Sequence, residues 1–167
     1  MGHFKASVDR TIEIEDGWVN NPKDPGGETN MGISRRFLNS VGLTDDLKTI
    51  SRDRVVEIYK EYFWEPYNHE KIENVEIAQE VFDFTVLAGP KASGLALQRA
   101  LRSVSYVVCD GSLRVEEDGI VGPKTVRAVN AVAPLPLLAA LKSEQAGYAR
   151  DLDDPTFERG WVRRAYE

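Results

Sequence analysis

Disulfide chemistry is the first thing this sequence excludes. It holds one cysteine, Cys109, so no intrachain bridge can close. Histidine is almost as scarce. His3 and His69 stand far apart, no zinc-type Cys/His spacing occurs, and both are expected at the surface rather than on a metal. Excess positive charge is also missing: the formal net charge is −6, which supplies no global basic field to attract nucleic acid. No stretch approaches the roughly 18 apolar residues of a membrane span. The opening Met-Gly-His-Phe-Lys-Ala-Ser-Val has no apolar h-region, so synthesis without a signal peptide is expected. Lipidation at Gly2 is not expected either, because the following residues fit that signal poorly. Nothing implies a metal or an organic cofactor, and there is no internal repeat, low-complexity tract or long linker.

What is present is an ordinary globular composition over 167 residues, enough for one domain with a substantial core, in one or two lobes. The reading is mainly α, α+β only through a small hairpin or ordered loop. The first helix covers about Phe4 to Asp16 and stops at Gly17. Residues 18–33 contain Pro22, Pro25, Gly26, Gly27 and Gly32, too many breakers for a helix, and read as the hairpin or loop. Ser34 caps a short helix through Ser40 that Gly42 ends. Ser51 caps the next, whose Val55, Ile58 and Tyr62 recur at helical spacing as far as Trp64, ahead of Pro66. Residues 75–88 form an apolar helix ended by Gly89-Pro90, and a helix over 91–102 follows. From Ser105 to Glu117 a β-branched run, an Asp110-Gly111 turn and a second run predict a small hairpin. Pro123 starts a helix through Val132. Another covers roughly 136–152, and a last one lies beyond Pro155.

Chemistry concentrates around Glu15. At about 100° per residue, Phe4, Val8 and Ile12 lie within a stripe roughly 80° wide, and Glu15 falls inside it. A carboxyl group there is partly desolvated and faces the unfavourable end of the helix dipole. Both effects favour its neutral form, as a general acid at neutral pH requires. Asp24 follows nine positions later and Thr29 five after that, along a path stiffened by prolines and glycines. Two carboxylic residues in different environments suit glycoside hydrolysis, one protonating the leaving oxygen and the other handling water or oxocarbenium charge. Thr29 can help hold the water. Equally, a Glu-Gly helix end and an Asp-Pro-Gly-Gly turn are common structural devices, and Asp24 reads as well as a turn-forming residue. Glu28 reads as a third carboxylate of the site or a solvated loop charge, the loop reading being preferred. Among the aromatics, Trp18, Trp64, Tyr67 and Trp161 suit stacking on sugars, whereas the spacing of Tyr62, Phe82 and Phe84 points to the core.

The run Glu15-Asp16-Gly17-Trp18-Val19-Asn20-Asn21-Pro22, with Asp24-Pro25-Gly26-Gly27-Glu28-Thr29-Asn30-Met31-Gly32-Ile33-Ser34, closely resembles the signature of the glycoside hydrolase 108 family of phage endolysins and bacterial muramidases. It departs from the family pattern at Asp16, where that pattern has Gly, and at Trp18 and Met31, where it has Tyr. The Asp-to-Thr gap is one residue shorter than in phage-type lysozymes. Tyr62-Phe63-Trp64-Glu65-Pro66, the Asp83 to Pro90 helix end, Leu97 to Leu101, Asp118 to Thr125 and Phe157 to Val162 extend the resemblance over nearly the whole chain. The segment 103–117 is longer than expected between those motifs and resembles a lineage-specific insertion.

The resemblance implies a lysozyme-like helical fold and a peptidoglycan N-acetylmuramidase. It makes Glu15, Asp24 and Thr29 the expected catalytic residues, and Trp18, Asn30, Trp64 and Tyr67 the expected substrate-binding ones. It divides the chain into a catalytic lobe over 1–90 and a helical lobe over 91–167 resembling a peptidoglycan-binding region, the two expected to pack into one domain. The implied partners are peptidoglycan glycan strands, with no nucleic acid and no stable membrane insertion. The expected protein is a monomer made in the host bacterial cytoplasm, released by a holin and acting on the wall. A non-catalytic wall-binding or secretion-helper protein, a glucosaminidase and a lytic transglycosylase stay open as alternatives.

Overall fold

The apolar stripe of the first helix is buried as expected, and two hydroxyls are buried beside it. In the computed structural model, which describes residues 2–14, 17–20, 27–108 and 114–151, helix α1 runs Gly2–Ile14. Val8 and Ile12 are in the core, and so are their neighbours Ser7 and Thr11. The two hydroxyls are satisfied one turn back: Ser7 donates to the His3 carbonyl (2.9 Å) and Thr11 to that of Ser7 (3.1 Å). Their burial therefore carries little desolvation cost.

The chain divides into two compact units, Met1–Pro66 and Tyr67–Glu167. The first holds α1, strands β1 (Trp18–Asn20), β2 (Glu28–Asn30) and β3 (Ile33–Ser34), and helices α2 (Arg35–Ser40) and α3 (Arg52–Tyr59). The strands form an antiparallel sheet in the order β1-β2-β3. The β2–β3 connection is the two-residue turn Met31-Gly32, with φ +47° and +78°. Positive φ at both positions is the primed hairpin geometry that matches strand twist. Gly32 suits it, whereas Met31 is held there by its surroundings: the Tyr59 hydroxyl donates to its carbonyl at 2.9 Å. Both serine caps are in place, Ser34 accepting from the Phe37 N–H (3.1 Å) and Ser51 from that of Arg54 (3.2 Å). Past α3 the helix widens into a π turn, Lys60–Trp64. The turn seats Tyr62 and Phe63 against Phe37 and Trp64 edge-on to Phe4.

The second unit begins with a 3₁₀ turn, His69–Lys71, followed by α4 (Val75–Ala88), α5 (Pro90–Val108), α6 (Pro123–Ala131) and α7 (Pro134–Asp151). Helices α4, α5 and α7 pack against one another around Val81, Phe82, Leu97, Leu101, Leu137 and Leu141. Ser93 on α5 donates to the Val81 carbonyl of α4 at 2.9 Å, and Lys142 on α7 reaches Glu80 of α4 at 3.8 Å.

Two expectations fail here. Residues 105–108, expected as the first arm of a hairpin, continue α5, and 114–117 are not a strand. A formed helix adds one hydrogen bond for each residue it extends, and that outweighs the β preference of Tyr106-Val107-Val108. The Asp110-Gly111 turn lies outside the described residues. His69 is fully buried, not at the surface. Its Nε2 is 3.4 Å from the Thr85 hydroxyl, and its ring lies between Tyr67 and Phe82. The remaining boundaries differ by a residue or two, and α7 starts at Pro134 rather than at 136. The expected last helix and Cys109 lie outside the described residues.

A polar clamp fixes the loop before α6. Gln98 on α5 donates to the Asp118 carboxylate (2.7 Å) and the Ile120 carbonyl (3.1 Å), and accepts from the Gly119 N–H (2.8 Å). Asp118 also accepts from the Ile120 N–H at 2.8 Å. The carboxyl of Asp118 is thereby held below its ordinary 3.8, first by the Gln98 amide and then by the Ile120 backbone. A depressed folded-state pKa stabilises the fold above the unfolded value, and that stability drains away as pH falls through the folded value. Asp118→Asn, which keeps the acceptor oxygen, is therefore expected to flatten the decline in stability below about pH 4. Urea midpoints between pH 5 and 2.5 measure this; parallel profiles for variant and wild type would refute it.

Candidate active site

The sheet carries three of the expected site residues, Trp18, Thr29 and Asn30. Its register pairs Trp18 with Asn30, Val19 with Thr29 and Asn20 with Glu28, and then Thr29 with Ser34. Side chains alternate along a strand, so Trp18, Glu28 and Asn30 share one face while Thr29 takes the other with Val19 and Ser34. Thr29, expected beside the acid, thus stands on the opposite face from Trp18, the expected sugar contact. Its hydroxyl stands 3.5 Å from the Gly27 carbonyl.

The Trp18 face is organised by charge. The Trp18 indole N–H donates to one oxygen of Glu28 at 2.7 Å, and Arg35, the first residue of α2, reaches the other at 3.3 Å. Glu28 is therefore a bridge between strand and helix, not the solvated loop charge expected of it. The diagonal 18-to-28 contact depends on strand register, which the sequence leaves undetermined. Above the ring sits Lys48, its Nζ 5.0 Å from the ring centroid. At a site as open as this, with Trp18 43 % exposed, such a cation–π contact is worth about 0.5–1 kcal/mol.

Lys48 is held in place through its loop. Leu47 beside it is buried, and its carbonyl accepts from the Asn30 amide at 2.7 Å. Two residues earlier in the loop, the Asp45 carbonyl accepts from Arg35 at 2.8 Å, and its carboxylate from Arg54 at 3.0 Å. Asn30, expected to bind substrate, thus spends its amide group on holding this loop to the sheet. Sequence reading missed Lys48: it lies thirty residues from Trp18 and in no motif, so only the folded loop brings the two together.

Trp64 is in the core, 3 % exposed against Phe4, rather than on an open face. Tyr67 is half-buried in the second unit, its ring beside His69. Glu15, Asp24 and Trp161 lie outside the described residues. Among the described residues no group of three or more His, Cys, Asp or Glu is placed to hold a metal, and no helix is long and apolar enough to cross a membrane.

Residues 8–89 match the family model for glycosyl hydrolase 108. They belong to that family. Residues 93–166 match the model described as "Predicted Peptidoglycan domain". The chain is accordingly a glycoside hydrolase directed at peptidoglycan. Among solved structures it is similar to the one titled "Structure of Brucella abortus SagA": 26 % identity, TM-score 0.81, covering 99 % of this chain and 90 % of that one. No curated protein matches it. The glycosyl hydrolase 108 match ends one residue past α4. The break between compact units comes earlier, at Pro66–Tyr67, so α4 is matched as hydrolase while it packs with α5 and α7.

Proposed function

We propose that this glycosyl hydrolase 108 chain is an N-acetylmuramidase, cleaving the β-1,4 bond between N-acetylmuramic acid and N-acetylglucosamine. Glu15 protonates the glycosidic oxygen as the bond breaks. Asp24, with Thr29, positions the attacking water or balances the positive charge that develops on the sugar. The observation that carries this reading is the unbroken match over 8–89, which contains Glu15, Asp24 and Thr29 in order and is followed directly by a peptidoglycan-type segment. The biological role we assign is that of a phage lysin. It acts on the wall as a monomer, after a separate membrane lesion of the holin kind lets it out of the cytoplasm.

Product analysis tests the bond. Purified peptidoglycan is digested, reduced with borohydride and examined by mass spectrometry. Reduced N-acetylmuramic acid ends are expected. Reduced N-acetylglucosamine ends would make the enzyme a glucosaminidase, and anhydro-muramyl ends a transglycosylase; either would overturn the muramidase reading.

A further inference from the structure

The structure places an exposed aromatic ring and an ammonium together on the face of the sheet opposite Thr29, and the catalytic roles given above use neither. The ring is fixed at its edge by Glu28, whose two oxygens are taken up by Trp18 and Arg35. The ammonium is fixed through its loop by Asn30, Arg35 and Arg54. Lys48 itself is exposed, and among the described residues it has no carboxylate partner. A side chain with no ion pair among the described residues, beside a ring that is open to solvent, offers one apolar surface and one positive charge close together. That combination suits a sugar polymer whose rings carry anionic substituents. In a chain of net charge −6 the overall field opposes such a polymer, so a local cation has unusual weight in drawing it in.

We infer that Trp18 and Lys48 form a docking position for a glycan bearing carboxylate groups, with Lys48 as the residue that distinguishes acidic from neutral strands. The inference rests on the peptidoglycan reading above for its ligand. Trp18 takes a sugar face, and Lys48 moves from the ring towards a substrate carboxylate, exchanging a solvent-exposed cation–π contact for a charge-assisted hydrogen bond. The carboxylate can come from the stem peptide or from the lactyl group of the muramic acid unit.

The test compares three preparations of one wall: native, carbodiimide-amidated so that carboxylates become neutral amides, and stripped of stem peptides so that lactyl carboxylates are freed. Binding of the full-length protein is measured by sedimentation with each, and hydrolysis by release of reducing ends. Wild type is expected to bind the amidated wall about 2- to 5-fold more weakly than the native one, the size of one lost charge contact near a surface. Lys48→Met keeps an unbranched apolar chain against the ring and is expected to bind the two equally, its loss falling on KM rather than kcat. Lys5→Met, which removes the same charge from an exposed position on α1, is expected to discriminate as wild type does. Weak binding to the stripped wall assigns the stem peptide, and full binding shows that a freed lactyl carboxylate satisfies the same position. Equal binding of native and amidated wall by wild type, or discrimination that survives in Lys48→Met, overturns the inference. Because binding is scored separately from bond cleavage, a chain that binds with this preference but releases no muramic acid ends would sink the muramidase reading alone.

Discussion

Glu15→Gln is expected to lower the rate of wall hydrolysis by about 10³-fold or more while leaving the fold intact, since positioned proton transfer contributes about 10²- to 10⁴-fold. Glutamine preserves the size and hydrogen-bonding reach of the side chain but has no proton to give the departing sugar oxygen. Val8 and Ile12 are buried, and Ser7 and Thr11 are buried beside them. The next position of the apolar face along the helical wheel is Glu15. By sequence periodicity alone, a carboxyl group at that position is expected to be partly desolvated, which favours its protonated form. Rates are read from release of reducing ends, and folding from the urea midpoint of the same preparations. A variant that folds normally and keeps more than about a tenth of the wild-type rate would remove Glu15 from the acid role, because general-acid loss is larger than that.

Gly94→Ala is expected to be the most damaging small substitution in the second unit. A Cβ built on Gly94 would stand 2.1 Å from the Gly119 carbonyl oxygen and 2.5 Å from its carbon. Those atoms are backbone, in a turn where Gly119 has φ +78° and is gripped by Gln98, so no side-chain rotation relieves the clash. Overpacking typically costs about 1–3 kcal/mol. Pushing the turn away also strains the Gln98 hydrogen bonds, worth about 1 kcal/mol each, for a combined loss of about 3–5 kcal/mol. Gly147→Ala is the matched control. No atom lies within 4 Å of its built Cβ, in the interior of α7. There the substitution is expected to raise stability by about 0.5–1 kcal/mol, through helix propensity and a less disordered unfolded chain. Urea unfolding of the two variants decides the matter: a Gly94→Ala protein within about 1 kcal/mol of wild type would mean the contact relaxes easily.

What could be read from the sequence was whatever the chain settles within a few residues. The Ser34 and Ser51 caps, the Gly89-Pro90 stop and the start of a helix at Pro123 all rest on local backbone chemistry, and all are found. The breaker-rich stretch between Trp18 and Ile33 does hold extended structure, and its residues on either side of the turn pair as a sheet. Long-range choices were not legible. The π turn at Lys60–Trp64 accompanies aromatic packing against Phe37 and Phe4, and neither contact has a signature in the turn itself. His69 is buried by α4, sixteen residues away at Thr85. The helical fate of Tyr106-Val107-Val108 follows from the helix it extends, against its own preference. At the site the split is the same. Trp18 was identifiable as an exposed aromatic from its neighbourhood, whereas Lys48, Arg35 and the bridging role of Glu28 needed the register of the strands and the path of the loop.

Helix α4 has a consequence for how such chains can be traded between genomes. Its sequence belongs to the hydrolase family, but its apolar side is filled by α5 and α7. A gene segment swapped at the family boundary near residue 90 would deliver a three-layered bundle with one layer left behind, and both offspring would inherit an uncovered apolar surface. A crossover at Pro66–Tyr67 would carry the bundle whole. Viable hybrids between lineages should therefore have their joints inside what sequence comparison treats as the catalytic half.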